Sequence, residues 1–494
     1  MGLNLKTAVD RRLGFASAHV RCACCHNRAV TSPPASADRL THSTGDFRTI
    51  AVHAATVFVG QIAVMAFGVV DTIAAGRHSE MALAALSVGS AVFVTVFASL
   101  MGLVQALLPV WAEMHGARRP ADIGLAARQS LYVCAAASAL GMAVLLHPQP
   151  LLDWTRVPAA LQPLVRDYLA VVGWSLPAAL LFRAFATLSQ AIGLPRLVTG
   201  LQVASLGVKL PLSIWLTFGG AGVPALGVVG CAWATFAVNY FLCLLALALL
   251  RTQRLYAPLA LWQPLERPHA PTLRAFARLG VPAAVSILVE VTSFTLMALF
   301  VARLGATASA AHQIAANVAA LLYMVPLSLA VAASARVSYW RGAGNEERAA
   351  RLARRALGAA ALVGAALAAT VFTAKAAIVT IYTRQVGVEL LAARLLGWVA
   401  LYHLADSAQT VAVFALRCWR VTLAPLLVYG ALLWGVGLTG GYLLAYRGLG
   451  PLAAEQTPAA FWQAAACALL LAALALGGML HRVSGRALPD SGWR

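Results

Sequence analysis

The stretch PAAVSILVEVTSFTLMALFVARLG, Pro282 to Gly305, places a carboxylate in the middle of an apolar run. The run is long enough to cross a bilayer as a helix, which takes about 20 residues at about 1.5 Å each. Glu290 would then lie near the membrane midplane, where an ionised side chain costs about 2.5–3.5 kcal/mol on insertion scales. An acid at that depth usually faces other helices or water and marks a functional site, although a protonated acid can also simply bond a neighbouring helix.

Two serines extend this polar position along the same predicted helix. Ser286, Glu290 and Ser293 follow i, i+4, i+7 spacing, which places all three on one helix face. We therefore expect a narrow polar seam that lines a cavity for a cation or a substrate.

The composition of the whole chain indicates that it contains many apolar segments of this kind. Of 494 residues, 61% are hydrophobic and only 11% are charged, whereas soluble domains have about 25% charged residues. This predicts an all-α integral membrane protein, embedded in a lipid bilayer, with about a dozen spans. The net charge of +20 does not indicate nucleic-acid binding, because the basic residues lie mainly in the connections between apolar segments.

Twelve apolar segments predict twelve transmembrane helices, and the longest connection between them divides the chain into two sets of six. The predicted organisation is an extension without regular structure, a first lobe, a cytoplasmic linker, a second lobe and a cytoplasmic tail, with these boundaries: 1–46, 47–250, 251–275, 276–480 and 481–494. The predicted segments themselves are 49–75, 81–111, 126–147, 165–190, 196–217, 228–250, 276–303, 309–335, 354–374, 389–415, 421–446 and 459–480.

The distribution of lysine and arginine predicts the orientation of these helices. If the N-terminus is cytoplasmic, about three quarters of the 37 basic residues fall on the cytoplasmic side. Both termini are therefore expected inside.

The two halves also resemble each other at a constant offset of 226 positions. This offset relates Arg77 to Arg303, Gly116 to Gly342 and Arg128 to Arg354. Both halves begin inside and contain six helices, so we expect parallel repeats related by an axis along the membrane normal, an architecture that transporters use.

The N-terminal extension contains one unusual motif, CACCH, at residues 22–26. Cysteine and histidine at this density can bind zinc or copper. No second CxxC or HxxxH pair is present to complete a tetrahedral site, so we predict no metal site and interpret the segment as a flexible tail or a start codon assigned too early.

Few charged residues fall well inside the predicted helices, away from their ends. The first lobe has Asp71 with Arg183 and Lys209, and the second lobe has Glu290 and Asp406. Further polar side chains in the second lobe are candidates for lining a cavity: Gln313, Asn317, Tyr402, His403 and Gln409. The second lobe thus appears in the sequence as an interior with two acids and no buried base, which suits exchange of protons, sodium or a cationic substrate.

Three motifs carry a resemblance to a known family: VVDTIAAG (69–76), AAHQIAANVAALLYMVPLSLAVAASARV (310–337) and LADSAQTVAVFALR (404–417). From about residue 45 to 480 the chain resembles the multidrug and toxic-compound extrusion (MATE) family, NorM-type subgroup. The resemblance implies a V-shaped transporter with two six-helix bundles, working as a monomer in a bacterial-type inner membrane. It also implies export of organic, often cationic, compounds coupled to entry of H+ or Na+, with no other cofactor. Acids at the positions of Glu290 and Asp406 are then associated with the coupling cation, and the acid at Asp71 with the proton or drug response.

The chain departs from the family pattern at three places, one of which is an N-terminal tail that is longer than usual. Lys209 and Ser213 stand where two asparagines are common, and Arg384-Gln385 stands where an acid is common. Lys209 either extends its ammonium outward or pairs with Asp71 as an internal counter-ion. If the pair forms, we expect coupling to belong to the second lobe.

Other functions remain open on the sequence alone. The nearest alternative is a lipid-linked oligosaccharide flippase or a dedicated metabolite exporter with the same broad fold. A flippase cavity should carry several basic residues for a diphosphate, and Arg183 with Lys209 is little support. An enzyme is not expected, because DDxxD, HExxH, GxSxG and phosphate-loop motifs are missing from the sequence, and no catalytic residue is predicted.

Overall fold

The computed structural model describes residues 43–155, 157–220, 222–448 and 453–486. This part of the chain is almost entirely helical, apart from an isolated β-bridge between Gly220 and Val223. The predicted all-α membrane fold is confirmed. The CACCH motif at 22–26 and most of the predicted N-terminal extension lie outside the described residues.

Twelve helices in the described part are long and apolar enough to cross a membrane. We number them α1 to α12: Gly45–His78, Glu80–Gly116, Pro120–Leu146, Gln162–Ala191, Pro195–Phe218, Val228–Thr252, Ala270–Ala302, Ala306–Gly342, Glu346–Tyr382, Val386–Cys418, Leu423–Tyr446 and Ala459–Gly485. A short helix, Gln149–Trp154, connects α3 to α4, and a 3-10 turn, Arg254–Leu259, follows α6. We call α1–α6 the N-lobe and α7–α12 the C-lobe.

Several helices extend beyond the apolar segments from which they were predicted. α9 begins at Glu346 rather than at 354, because the sequence EERAARLARR consists of good helix formers and continues the helix into polar surroundings. The side chain of Asn345 caps this start by accepting a hydrogen bond from Arg348 N at 2.9 Å. Hydropathy marks only the part of a helix that lies in hydrocarbon, whereas caps set where the helix ends.

The two lobes are joined by charged contacts at one end of the molecule, where α1 and α7 begin and α6 and α12 end. We call this end the linker face. Asp46 in α1 accepts hydrogen bonds from Arg336 Nε and Arg348 Nε, both at 2.8 Å. Glu113 in α2 pairs with Arg420 at 2.7 Å. Within the described residues, the ion pairs that connect helices of different lobes lie at this face.

A reciprocal crossing of α2 and α8 lies beside these ion pairs. A Cβ atom on Gly116 would lie 1.9 Å from Tyr339 O, and a Cβ atom on Gly342 would lie 1.8 Å from Glu113 O. The offset of 226 relates Gly116 to Gly342 and also Glu113 to Tyr339. Each contact is therefore the image of the other across the axis that relates the lobes, and only glycine leaves room for it.

The same offset relates two arginines that bind the chain near the C-terminal end of each lobe. Arg128 at the start of α3 donates to Ala260 O and pairs with Glu266 in the linker. Arg354 in α9 donates to Ser484 Oγ near the end of α12, at 3.0 Å. The hydrogen bond from Arg128 lowers the pKa of Glu266, so this acid stays charged, and the linker stays fastened, until the pH falls below the ordinary range of a glutamate.

We expect Gly116→Val to destabilise the protein, because the new side chain collides with the backbone of α8. Overpacking of this kind lowers the free energy of unfolding by about 1–3 kcal/mol, measured as a lower midpoint of thermal unfolding in detergent. Gly200→Ala in α5 is the matched control, because a Cβ atom there meets nothing within 4 Å. Equal midpoints for Gly116→Val and the control would show that the crossing does not constrain the fold.

Candidate functional site

Asp406 lies in the interior of the C-lobe with only one of its oxygens bonded. The residue is 1% exposed, and Oδ1 accepts a hydrogen bond from Gln409 Nε2 at 2.9 Å. Oδ2 has no hydrogen bond within the described residues. The ring of His403 places Nδ1 3.5 Å from Oδ2, but without hydrogen-bond geometry. A buried carboxylate oxygen is thus left available, which is costly unless something binds it.

Both polar atoms of the Gln409 side chain are hydrogen-bonded within the protein, so Gln409 does not offer a free group to a cavity. Its Nε2 also contacts Thr410 Oγ1 at 3.1 Å, and its Oε1 accepts from the hydroxyl of Tyr429 in α11. Gln409 therefore connects Tyr429 to Asp406. Sequence reasoning missed Tyr429 because a tyrosine in an apolar segment is usually a packing residue.

Glu290 in α7 is partly exposed and has no hydrogen bond or ion pair with any described residue. The negative charge of Asp406 and the positive charge of Arg417 both act on it. Glu290 on α7 and Asp406 on α10 thus lie within electrostatic range of one another, and their role with a coupling cation stays a prediction.

The expectation of a C-lobe interior without a base is wrong. Arg417 in the last turn of α10 is 4% exposed, and its Nη1 has no hydrogen-bond partner among the described residues. The predicted tenth segment ended at 415, which placed Arg417 outside the membrane. The helix instead continues to Cys418 and carries the guanidinium into the lobe.

Ser293 and Tyr402 lie together beside this site. Both line a cavity of about 20 Å³, together with residues of α7, α11 and α12. The ring of Tyr402 packs edge-on against Phe294 and Trp462, with centroids 5.9 and 5.7 Å away. The aromatic rings close the apolar side of the cavity, which is large enough for one water-sized occupant.

Ser286 has a local role in α7 in the structure. Its hydroxyl donates to Pro282 O at 2.8 Å, one helical turn earlier. Pro282 lacks an N–H, so it leaves the carbonyl of Arg278 without its helical partner. Thr422 Oγ1 donates to Arg278 O at 3.2 Å and satisfies it. In the predicted seam, the Ser286 hydroxyl is therefore used within its own helix. The side chains of Glu290 and Ser293 have no hydrogen-bond partner among the described residues and can still bind a ligand.

A wide helical turn in α11 faces the same part of α7. Gly430–Thr439 forms a π-helix of ten residues, and Trp434 Nε1 within it donates to Val289 O at 3.1 Å. π-Helical turns often occur at functional sites. The sequence of this segment, GALLWGVGLTGG (430–441), is rich in glycine, and this feature could have predicted an irregular helix.

Gln313 and Asn317 do not join the buried carboxylates. Both are exposed on one face of α8 and bond each other, with Gln313 Nε2 3.2 Å from Asn317 Oδ1. Their buried neighbour His312 instead accepts from Trp462 Nε1 at 3.2 Å.

In the N-lobe, Asp71 and Lys209 form the ion pair that the sequence left open. Lys209 is fully buried, and its Nζ lies 2.8 Å from Asp71 Oδ1 and 2.9 Å from Oδ2. Thr235 Oγ1 and Cys231 O surround the ammonium at 2.7 and 3.2 Å. Ser213 Oγ donates to Asp71 Oδ1 at 2.9 Å. Both oxygens of this acid are therefore bonded.

Comparison with known proteins agrees with this arrangement of helices and sites. The chain is 36% identical to the probable multidrug resistance protein NorM of Aromatoleum aromaticum over 439 residues, which cover 88% of this chain and 94% of that protein. The NorM protein of Chromobacterium violaceum is 34% identical, with 89% and 95% covered. The model of the MatE family matches residues 57–215 and 282–443.

The chain belongs to the MatE family.

The resemblance read from the sequence is thus confirmed, and solved MATE structures have the same fold. The Vibrio cholerae MATE transporter VcmN in the bent form superposes with a TM-score of 0.78 at 17% identity, covering 90% of this chain and 99% of that one. The eukaryotic MATE transporter AtDTX14 gives a TM-score of 0.78 at 18% identity, covering 90% and 98%. At these identities the structures support the fold of this MatE chain and not the roles of single residues.

We expect Lys209→Met to destabilise this MatE protein strongly, because it leaves Asp71 buried and charged without a counter-ion. Removing one partner of a buried pair costs about 3–5 kcal/mol, measured as a lower midpoint of thermal unfolding in detergent. The double variant Lys209→Met/Asp71→Asn should recover most of this loss. Lys375→Met, at a partly exposed lysine of α9, is the matched control, and a Lys209→Met midpoint equal to that of the control would contradict the role of the ion pair.

Proposed function

We propose that this chain is a cation-coupled antiporter that exports organic, mainly cationic, compounds by alternating access. Its membrane is a bacterial-type inner membrane, with both termini cytoplasmic, and it works as a monomer. Support for the class of cargo comes from the relatives, which are named probable multidrug resistance proteins. The basic residues at the linker face support the orientation.

A contrast between the lobes carries the proposal. Both oxygens of Asp71 in the N-lobe are bonded to Lys209 and Ser213. In the C-lobe, Glu290 has no bonded partner among the described residues, and Oδ2 of Asp406 has no hydrogen bond. The C-lobe acids are therefore the ones available to a coupling ion, and Asp71 serves a structural ion pair.

The coupling step is a change of charge in the C-lobe. A cation that enters from outside neutralises one carboxylate of the Glu290–Asp406 pair, which removes the repulsion between them. One elementary charge moving inward through 100 mV contributes about 2.3 kcal/mol. For a neutral cargo, one ion per cycle can thus support a gradient of more than about tenfold, since tenfold corresponds to about 1.4 kcal/mol. A monovalent cationic cargo that leaves in exchange for one ion cancels this charge movement, so its export draws on the concentration gradient of the ion.

The ion is a proton or sodium, and the ligand set favours a proton. Sodium needs several oxygens at once, and the family acid near the start of α10 is replaced here by Arg384-Gln385. Gln409 Oε1 is already taken by Tyr429. Among the described residues, the other oxygens near the two carboxylates are mainly hydroxyls, such as those of Ser293, Tyr323 and Tyr402.

The cargo path uses the exposed polar face of α8, where Gln313 and Asn317 offer amide groups without a fixed charge. A flippase for a diphosphate-linked lipid is disfavoured, because Lys209 is fully buried and bonded to Asp71. Of the two basic residues considered for binding a diphosphate, Arg183 and Lys209, only Arg183 is then available.

We expect Glu290→Gln to abolish gradient-driven transport, and Asp406→Asn to reduce it by more than about tenfold, which corresponds to about 1.4 kcal/mol. The measurement is efflux of a cationic dye from proteoliposomes with sodium and proton gradients imposed separately. Neither variant should unfold, because a neutral amide removes a buried charge. Asp167→Asn, at an exposed acid of α4, is the matched control and should retain the wild-type rate.

Two results would contradict this proposal. Wild-type protein that moves the dye equally with and without either gradient is not a coupled antiporter. A Glu290→Gln variant with the wild-type response to both gradients would remove Glu290 from coupling.

A further inference from the structure

The buried guanidinium of Arg417 has no role in the function proposed above. It is 4% exposed and lies over the ring of Phe414, with Cζ 4.4 Å from the ring centroid. It forms no ion pair with any described acid, and Nη1 has no hydrogen-bond partner. Burying a charge without a partner costs several kcal/mol, so a compensating role is expected.

A basic residue in the last turn of a helix often bonds the terminal carbonyls or reaches the aqueous surface. The buried and unbonded Nη1 of Arg417 does neither. The neighbouring Arg420 illustrates the ordinary arrangement, because it reaches across the linker face to Glu113. Arg417 is instead buried against the ring of Phe414.

Arg417 lies on the same face of α10 as Asp406, one of the two acids of the candidate coupling site. Asp406, Thr410, Val413 and Arg417 follow i, i+4, i+7, i+11 spacing and form one stripe of buried residues. Side chains on a helix lean towards its N-terminus, which for Arg417 is the direction of Asp406. Electrostatic interactions connect Arg417 with Glu290, Tyr323 and Tyr429.

Two opposite charges without bonded partners therefore lie in one lobe, Glu290 on α7 and Arg417 on α10. The titratable groups around them come from α8, α10 and α11: Tyr323, Tyr402, Asp406 with the adjacent His403, and Tyr429. With both acids ionised and Arg417 charged, the set carries one net negative charge. One monovalent cation neutralises it.

We infer that Arg417 is a resident counter-cation that competes with the coupling ion for Glu290. When the ion leaves, the guanidinium compensates the carboxylate, and when the ion arrives, the guanidinium is displaced. Arg417 thereby lowers the affinity for the ion enough to permit its release towards the cytoplasm. This inference rests on the proposed coupling at Glu290. It adds that Arg417 returns the site to its ion-free state after each release.

The test compares Arg417→Met with Arg417→Lys in proteoliposomes, with the coupling-cation concentration varied. Removing the positive charge should lower the cation concentration for half-maximal transport by about tenfold or more, and it should lower the maximal rate because release is slowed. Arg417→Lys keeps the charge and should retain the wild-type half-saturation. Arg183→Met removes the other buried arginine, which is 8% exposed in the N-lobe, and should leave half-saturation unchanged.

A second measurement needs no transport. In sodium-free buffer at high pH, where both candidate ions are scarce, the thermal midpoints of Arg417→Gln, Glu290→Gln and the double variant should be non-additive, with the double variant more stable than Arg417→Gln alone. Saturating cation should reduce this coupling.

The outcomes separate the inference from the proposed function. If wild-type vesicles ignore both gradients, the antiporter proposal itself fails. If the wild type responds but Arg417→Met has unchanged or weaker cation affinity, or if the midpoints are additive with and without cation, Arg417 does not compete with the ion and the inference is overturned.

Discussion

A charge in the hydrocarbon region must be compensated within the protein, because lipid offers neither counter-ions nor hydrogen bonds. The N-lobe meets this constraint with a closed ion pair, in which Lys209 and Ser213 bond both oxygens of Asp71. The C-lobe meets it incompletely, since Glu290 and one oxygen of Asp406 lack bonded partners among the described residues. The ion pair in the N-lobe is complete, whereas the C-lobe leaves carboxylate oxygens unbonded, and there we propose that an exchangeable ion binds.

The two lobes share a backbone plan but not a pattern of charge. The offset of 226 relates the crossing glycines, whose contacts match in both lobes, and it relates Arg128 to Arg354, which hold different partners. The same offset places Met297 opposite Asp71, Gly435 opposite Lys209, Val64 opposite Glu290 and Leu180 opposite Asp406. Helix packing was therefore retained while the ionisable groups differ, so one lobe can hold the exchangeable site and the other can remain a rigid partner.

Sequence reasoning reached the helices and the main acids because both leave strong local signals. An apolar run of about 20 residues identifies a span, and an acid within it is rare enough to be noticed. Contacts between helices leave no such signal. The i, i+4 spacing of Gln313 and Asn317 placed them on one face but did not reveal that this face is exposed. Arg417 was missed because the predicted tenth segment ended at 415, two residues before it, although α10 continues to Cys418.

If Glu290 is the coupling acid, as we propose, its position explains how a local change of charge can move whole lobes. One turn earlier on α7, Ile287 packs so closely on α2 that a Cβ atom on Gly102 would lie 2.4 Å from its Cδ1. The adjacent Val289 carbonyl accepts the indole N–H of Trp434 from the π-helical part of α11. This short part of α7 therefore contacts the N-lobe on one side and an irregular helix of its own lobe on the other. Packed interfaces switch between discrete arrangements rather than deforming gradually, so a charge gained or lost at Glu290 acts where the two lobes are mechanically connected.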